Sequence, residues 1–373
     1  MRGKVNIVRS ILVMIAVVCL APAALAQIDI SIDTSSTVAS GIKGKYGLNI
    51  NAGVDADTNR PPDARSLSTA ISEYGARHLR FPGGKKSLYY AWAVPPYTNA
   101  DTHYWVPGWY SDAALDTMNI DDFIDLCQLT GAEPHINVAY NSFSGLGSTL
   151  AVEWVRYANV TKGYNVKYWE IGNEMWQSDL GFTLETLAEV VTNYSAAMKT
   201  VDPTIKIGVS WKSGTAQALI NLCGSALDFF HISNYATYGD SFDAYRNATN
   251  MSLSKVNEEL TLNTIVSEYN ANTWISEPEN NINTTGKGLI VFDTTAQLIK
   301  NAKCEYACLW NTRWHSMNGG TFDSLDDQNK LLPSVMPLKL YEMFLEDRMV
   351  TCTSSGGEIV SYASFNPVSA DLS

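Results

Sequence analysis

Two glutamates carry the strongest chemical signal in this sequence. Tyr168-Trp169-Glu170-Ile171-Gly172-Asn173-Glu174 and Thr264-Ile265-Val266-Ser267-Glu268-Tyr269-Asn270 are strand-like runs that close on a carboxylate. A pair of carboxyls facing each other suits cleavage of a glycosidic bond: one protonates the leaving oxygen while the other attacks the anomeric carbon or activates water there. Taken singly, a glutamate at a strand end is as readily a solvated charge. Two other endings add weight. His78-Leu79-Arg80-Phe81-Pro82-Gly83-Gly84 places Arg80 before a Gly-Gly turn, a backbone shaped around a cleft, although Arg80 also reads as a buried ion-pair partner. Cys308-Leu309-Trp310 ends on an indole large enough to stack beneath a sugar or to pack the top of the fold. Glu170 shares a face with Glu174 but lies about 13 Å deeper at ~3.3 Å per residue, and reads as structural.

Eight such runs begin near Tyr46, His78, His135, Tyr168, Lys206, Phe229, Thr264 and Tyr306, with helical patterns between them. Ile120, Phe123, Ile124 and Cys127 form an i, i+3, i+4, i+7 stripe behind Asn119 as N-cap, with Gly131 just past the end. Leu184, Leu187, Val191, Tyr194 and Met198 form another, stopped by Pro203. Alternation on this scale predicts an α/β fold, a (β/α)8 TIM barrel over residues 45–348, in which active groups sit at the C-terminal ends of strands. Glu174 and Glu268 then end the fourth and seventh strands. Residues 27–44 and 349–373 are strand-like flanks. They either pair as a small accessory β element from the two termini or begin a β-sandwich.

The chain has 373 residues with 26 Lys+Arg against 38 Asp+Glu and no basic block after residue 10, so a nucleic-acid backbone would be repelled. Arg2, Lys4 and Arg9, the apolar run Ile11 to Ala26 and its Ala24-Leu25-Ala26 end have the form of a signal peptide over residues 1–26. The expectation is a secreted or periplasmic protein with no membrane span after cleavage. The remaining Cys127, Cys223, Cys304, Cys308 and Cys352 lack metal-ligand spacing and sit among apolar neighbours, which favours buried free thiols over a disulfide scaffold.

The Tyr-Trp-Glu-Ile-Gly-Asn-Glu and Val-Ser-Glu-Tyr segments resemble the clan A glycoside hydrolases, and with Leu79-Arg80-Phe81-Pro82-Gly83-Gly84 the chain is most similar to the α-L-arabinofuranosidases of glycoside hydrolase family 51. The resemblance runs from about Tyr46 to Leu345. It implies Glu174 as acid/base, Glu268 as nucleophile, Asn173 as partner of the sugar 2-hydroxyl and Arg80 as a positioning cation, with an oligo- or polysaccharide substrate and no cofactor or metal. The chain departs from the family in two places. Ser233 stands where strand six usually presents a His, with Tyr235 retained, and the first strand ends on Asn49-Ile50-Asn51 without the expected carboxylate. His231 shares a face with Ser233 and Tyr235, two positions deeper, as a further substrate contact or a core residue.

Two other clusters have double readings. Tyr89, Tyr90, Trp92, Tyr97, Tyr104, Trp105, Trp109 and Tyr110 crowd the loop after the second strand, as sugar-stacking platforms or as a satellite hydrophobic cluster. Asp323, Asp326, Asp327 and Asn329 match no calcium-loop spacing and read as a solvated acidic turn. The expected function is a secreted retaining hydrolase of plant or algal polysaccharide, arabinofuranosidase-like. The alternatives are an endo-acting xylanase, glucanase or agarase, a β-xylosidase, and a non-catalytic carbohydrate-binding barrel.

Overall fold

A computed structural model describes residues 28–106, 115–140, 147–212, 214–235, 242–271, 284–314, 322–355, 359–369 and 371–372. The signal-peptide segment and Trp109 and Tyr110 lie outside the described residues. In chain order the strands are β1 (Ile30–Ser40), β2 (Tyr46–Asn49), β3 (His78–Phe81), β4 (Tyr90–Ala91), β5 (Tyr104–Trp105), β6 (Glu133–Val138), β7 (Tyr168–Ile171), β8 (Lys206–Ser210), β9 (Phe229–Tyr235), β10 (Thr264–Asn270), β11 (Cys304–Leu309), β12 (Arg348–Ser354) and β13 (Ala363–Phe365). Eight of them close a parallel barrel in the order β2-β3-β6-β7-β8-β9-β10-β11, the (β/α)8 architecture that the spacing predicts. β1, β12 and β13 form a separate antiparallel sheet joining the two ends of the chain, and β4 and β5 form a short hairpin.

The helices follow local rules. In α1 (Leu67–Tyr74) the Ser66 hydroxyl accepts from the Thr69 amide, and Gly75 ends the helix at φ 78°. In α2 (Ile120–Thr130) Asn119 and Asp122 exchange bonds as a capping box, and Gly131 ends it at φ 69°. Its buried stripe of Ile120, Phe123, Ile124, Leu126 and Cys127 faces the barrel, each large side chain contributing roughly 1.5–3 kcal/mol. The helices α3 (Thr149–Val155), α4 (Leu184–Val201), α5 (Ala216–Cys223), α6 (Phe242–Glu259), α7 (Thr285–Ile299) and α8 (Lys339–Phe344) continue the outer layer. No helix among the described residues is long and apolar enough to cross a membrane. The five described cysteines are unpaired, and all but Cys352 are buried.

Most buried apolar residues lie between barrel and helices, while a second cluster of Tyr168, Phe229, Ile265, Tyr306 and Cys308 fills the barrel itself. Tyr168 and Tyr306 come from strands that are not neighbours, yet their rings are 5.2 Å apart across the interior. Gly208 makes room for this plug: a Cβ there would fall 2.0 Å from the Phe229 ring. Above it the interior turns polar.

Candidate active site

Arg80, at the end of β3, is the hub of the barrel mouth. Its Nε donates to Glu170 Oε2 (2.6 Å), its Nη1 to Glu268 Oε1 (2.9 Å) and to Asn49 Oδ1 (2.9 Å), and its Nη2 to Asn173 Oδ1 (2.7 Å). One guanidinium thus ties the first, second, fourth and seventh strands of the barrel together, a use that needs the fork geometry of arginine. Tyr235, at the end of β9, donates to the other Glu268 oxygen at 2.8 Å. Gly84 is required where it stands, because a Cβ would meet Glu268 Oε1 and the Trp310 ring, each at 2.6 Å. Trp310 lies against Trp314 at 5.6 Å, and its buried indole Nε1 has no hydrogen-bond partner.

Glu174 follows β7 on a tight turn, with Gly172 at φ 67° and Glu174 itself at φ 46°, a left-handed conformation that few non-glycine residues adopt. Its carboxylate accepts from Gln177 Nε2 at 2.6 Å, and the Ser233 hydroxyl also stabilises the charged form. Ser233 therefore reaches the carboxylate from the position where the family His was expected. Burial pushes the Glu268 carboxyl up to about 7, against the pull of Arg80, with Glu174 adding to the rise and the Tyr235 hydroxyl opposing it. Burial also raises Glu174, with Ser233, Gln177 and Arg80 opposing. Arg80 and the neutral Tyr235 hydroxyl hold the Glu268 carboxylate, the donors to Glu174 are the neutral Gln177 and Ser233, and the two raised carboxyls titrate as a pair.

Among the residues singled out in the sequence, Arg80, Asn173, Glu268, Tyr235 and Trp310 converge here, with Glu174 beside them. His231 does not: it is fully buried a layer below, 3.8 Å from Glu170 Oε2, and belongs to the barrel interior rather than to a surface a sugar can touch. The aromatic loop is largely the hydrophobic cluster. Tyr90 and Trp92 are buried against Phe81 and Trp154, and the Trp92 indole donates to the Leu150 carbonyl. The acidic turn is not solvated as a whole either. Asp323 and Asn329 are buried, Asp323 accepting from the Trp314 amide at 2.6 Å and Asn329 from Arg313. These bonds hold the segment after β11 against the mouth.

Asn49, Gln177 and Lys86 have no expectation in the sequence reading. Asn49 is the first-strand contact of Arg80, and its Nδ2 donates to the Ser267 carbonyl at 2.8 Å. Lys86 donates to Asn51 Oδ1 at 2.5 Å, and burial lowers its ammonium to about 8 despite Asp55 and Asp323. A cavity of about 440 Å³ adjoins the mouth, sharing Ser233 and Tyr235 and lined by Trp176, Trp211 and residues of α6.

Fold and site define a parallel barrel with two carboxyls, an arginine and a tyrosine gathered at the C-terminal ends of its strands. This is the arrangement found in barrel glycosidases. No protein-family profile matches the chain. It is similar to α-L-arabinofuranosidase C of Emericella nidulans, 29% identical over 171 residues that cover 40% of this chain and 32% of the relative. It is also similar to a probable α-L-arabinofuranosidase C of Aspergillus fumigatus, 28% identical with 41% and 33% covered. The matched segment spans about a third of the length of these curated relatives. Among solved structures, an α-L-arabinofuranosidase from Thermotoga maritima in complex with arabinose shares the fold at a TM-score of 0.70, with 17% identity and coverage of 92% of this chain and 83% of the other. A monomeric β-xylosidase from Caulobacter crescentus does so at 0.62, with 15% identity and coverage of 90% and 74%. The resemblance to clan A and its family 51 that the motifs carry is the one these comparisons return.

Proposed function

We propose that this chain is a retaining glycoside hydrolase that releases α-L-arabinofuranosyl units from plant or algal polysaccharide outside the cytoplasm. The observation that carries the reading is the placement of Arg80 and Tyr235 on the two oxygens of Glu268, with Glu174 across the same mouth on neutral donors. Glu268 attacks the anomeric carbon as the bond to the leaving oxygen breaks, and Glu174 gives that oxygen its proton. Glu174 then takes a proton from water, the hydroxide attacks the anomeric carbon, and the ester bond to Glu268 breaks, restoring both carboxyls. Asn173, its amide oxygen tied to Arg80, turns its NH2 outward as a donor for a sugar hydroxyl. Export rests on the form of residues 1–26.

The Caulobacter neighbour makes a β-xyloside the second substrate to try. The test is a panel of aryl glycosides beginning with α-L-arabinofuranoside and β-xyloside, with the anomeric configuration of the first product followed by proton NMR. Hydrolysis with retention is expected. Inversion removes the covalent step, and sugar binding without turnover on the whole panel replaces the enzyme with a binding barrel.

A further inference from the structure

Beneath the carboxylate pair lies a group of side chains that the proposed reaction does not use. His135 from β6, Glu170 from β7 and His231 from β9 are fully buried, and one ligand-capable atom of each lies within 4.8 Å of the other two. His135 Nε2 is 3.5 Å from Glu170 Oε2, at the outer limit of a hydrogen bond, and His231 Nδ1 is 3.8 Å from it, beyond that limit. Among the described residues, both ring nitrogens of His231 and Glu170 Oε1 have no hydrogen-bond partner, and His135 Nε2 has none beyond its long contact with Glu170. A buried polar group left without a partner is destabilising, so their convergence calls for an occupant. The outer atoms are already engaged. His135 Nδ1 meets the Tyr306 hydroxyl at 2.9 Å, which leaves Nε2 to Glu170, and Arg80 Nε donates to Glu170 Oε2, the oxygen nearest both imidazoles. Outer partners of this kind fix the ligands of metal sites.

We propose that His135, Glu170 and His231 bind a divalent transition-metal ion, zinc first, as a structural cation inside the barrel. Two imidazoles and one carboxylate are a donor set suited to zinc, whereas calcium and magnesium take oxygen ligands. The edge of a tetrahedron with bonds of about 2.0–2.1 Å is roughly 3.4 Å; the separations of 3.5 and 3.8 Å from Glu170 Oε2 lie near it and the group spans no more than 4.8 Å, so the three ligands draw together to seat the ion. A trapped water completes the fourth position, and the ion enters as the chain folds. The site joins three strands and fixes Glu170, and through it Arg80.

The full chain, purified without a metal-affinity step and dialysed, is analysed for metals by plasma mass spectrometry. One equivalent of zinc per chain is expected. Protein unfolded in chelator and refolded without zinc should melt lower and regain its Tm on refolding with zinc. His231→Asn should carry no zinc. Should that variant not fold, the comparison of wild-type protein refolded with and without zinc decides. Wild-type protein that holds no stoichiometric metal and shows no zinc-dependent change in Tm overturns the proposal in favour of a bridging water. Zinc retained in full by a folded His231→Asn variant overturns the assignment to these residues. Neither readout depends on glycosidase activity, so the site and the proposed reaction can fail separately.

Discussion

Glu170 on β7 and Glu174 on the turn that follows it lie four residues apart, yet the protein makes opposite acids of them. Burial would raise Glu170, but Arg80 at 2.6 Å overrides it and holds the carboxyl well below the usual range. Burial raises Glu174 as well, and there Ser233, Gln177 and a more distant Arg80 do not overcome it. Glu170, with Arg80 and two histidines around it, is held as an anion, whereas Glu174, with neutral donors and a more distant Arg80, is suited to carry a proton. The lower position holds the machinery, and the upper one is suited to exchange a proton.

The comparison can be broken most severely at the partner of Glu174. Glu268→Ala should lower turnover by about 10⁵-fold or more on every substrate, because the covalent step has no other nucleophile; steady-state kinetics on the best aryl glycoside measures it. Residual activity within tenfold of wild type would remove Glu268 from that role. Glu174→Ala should cost roughly 10²–10⁴-fold on substrates with poor leaving groups. It should spare the first step on activated phenolates, and azide should restore turnover. Equal losses on both substrate classes without azide rescue would show that Glu174 carries no proton.

The lower glutamate should show its role in stability. Glu170→Gln leaves Arg80 short of one buried counter-charge, with an expected loss of about 3–5 kcal/mol by denaturant unfolding. An unchanged midpoint would mean that Asn49, Asn173 and Glu268 suffice to hold the guanidinium. The smallest effect is on pH. A carboxyl raised above its ordinary value keeps its proton below the folded value and loses it as pH rises through it. Glu268 must be ionised to attack, so the rate should rise as pH climbs through the value of about 7 to which burial pushes its carboxyl, and should fall again on an alkaline limb where Glu174, also raised, loses its proton. On an activated substrate Glu174→Gln should flatten this limb, and a limb that survives points to another acid.

Much of the fold was legible because its signals are local. The starts at Tyr46, His78, Tyr168, Lys206, Phe229 and Thr264 are the first residues of strands, and Asn119 and Gly131 bound the helix they predict. Strand ends were legible too, since a parallel barrel presents them at one rim. The errors came where a residue type fits two environments. An aromatic loop reads the same whether its rings face a sugar or, as with Tyr90 and Trp92, the back of Phe81 and Trp154. Asp323 and Asn329 carry no sign of the Trp314 amide and Arg313 that bury them.

The sequence by itself determined which side chains share a strand face and which close a strand, because alternation and capping act over a few residues. It thereby brought Glu174, Glu268, Arg80 and Tyr235 to one end of the barrel. Only the tertiary structure decided what each of them is chemically. That Arg80 reaches Glu170 and Glu268 while Glu174 is left to Gln177 and Ser233, and that His135 and His231 close on Glu170 from separate strands, depends on barrel closure, which sets Arg80 against Glu268 across 188 positions of sequence. Charge state in a dry interior is set by those neighbours, and no local pattern encodes them.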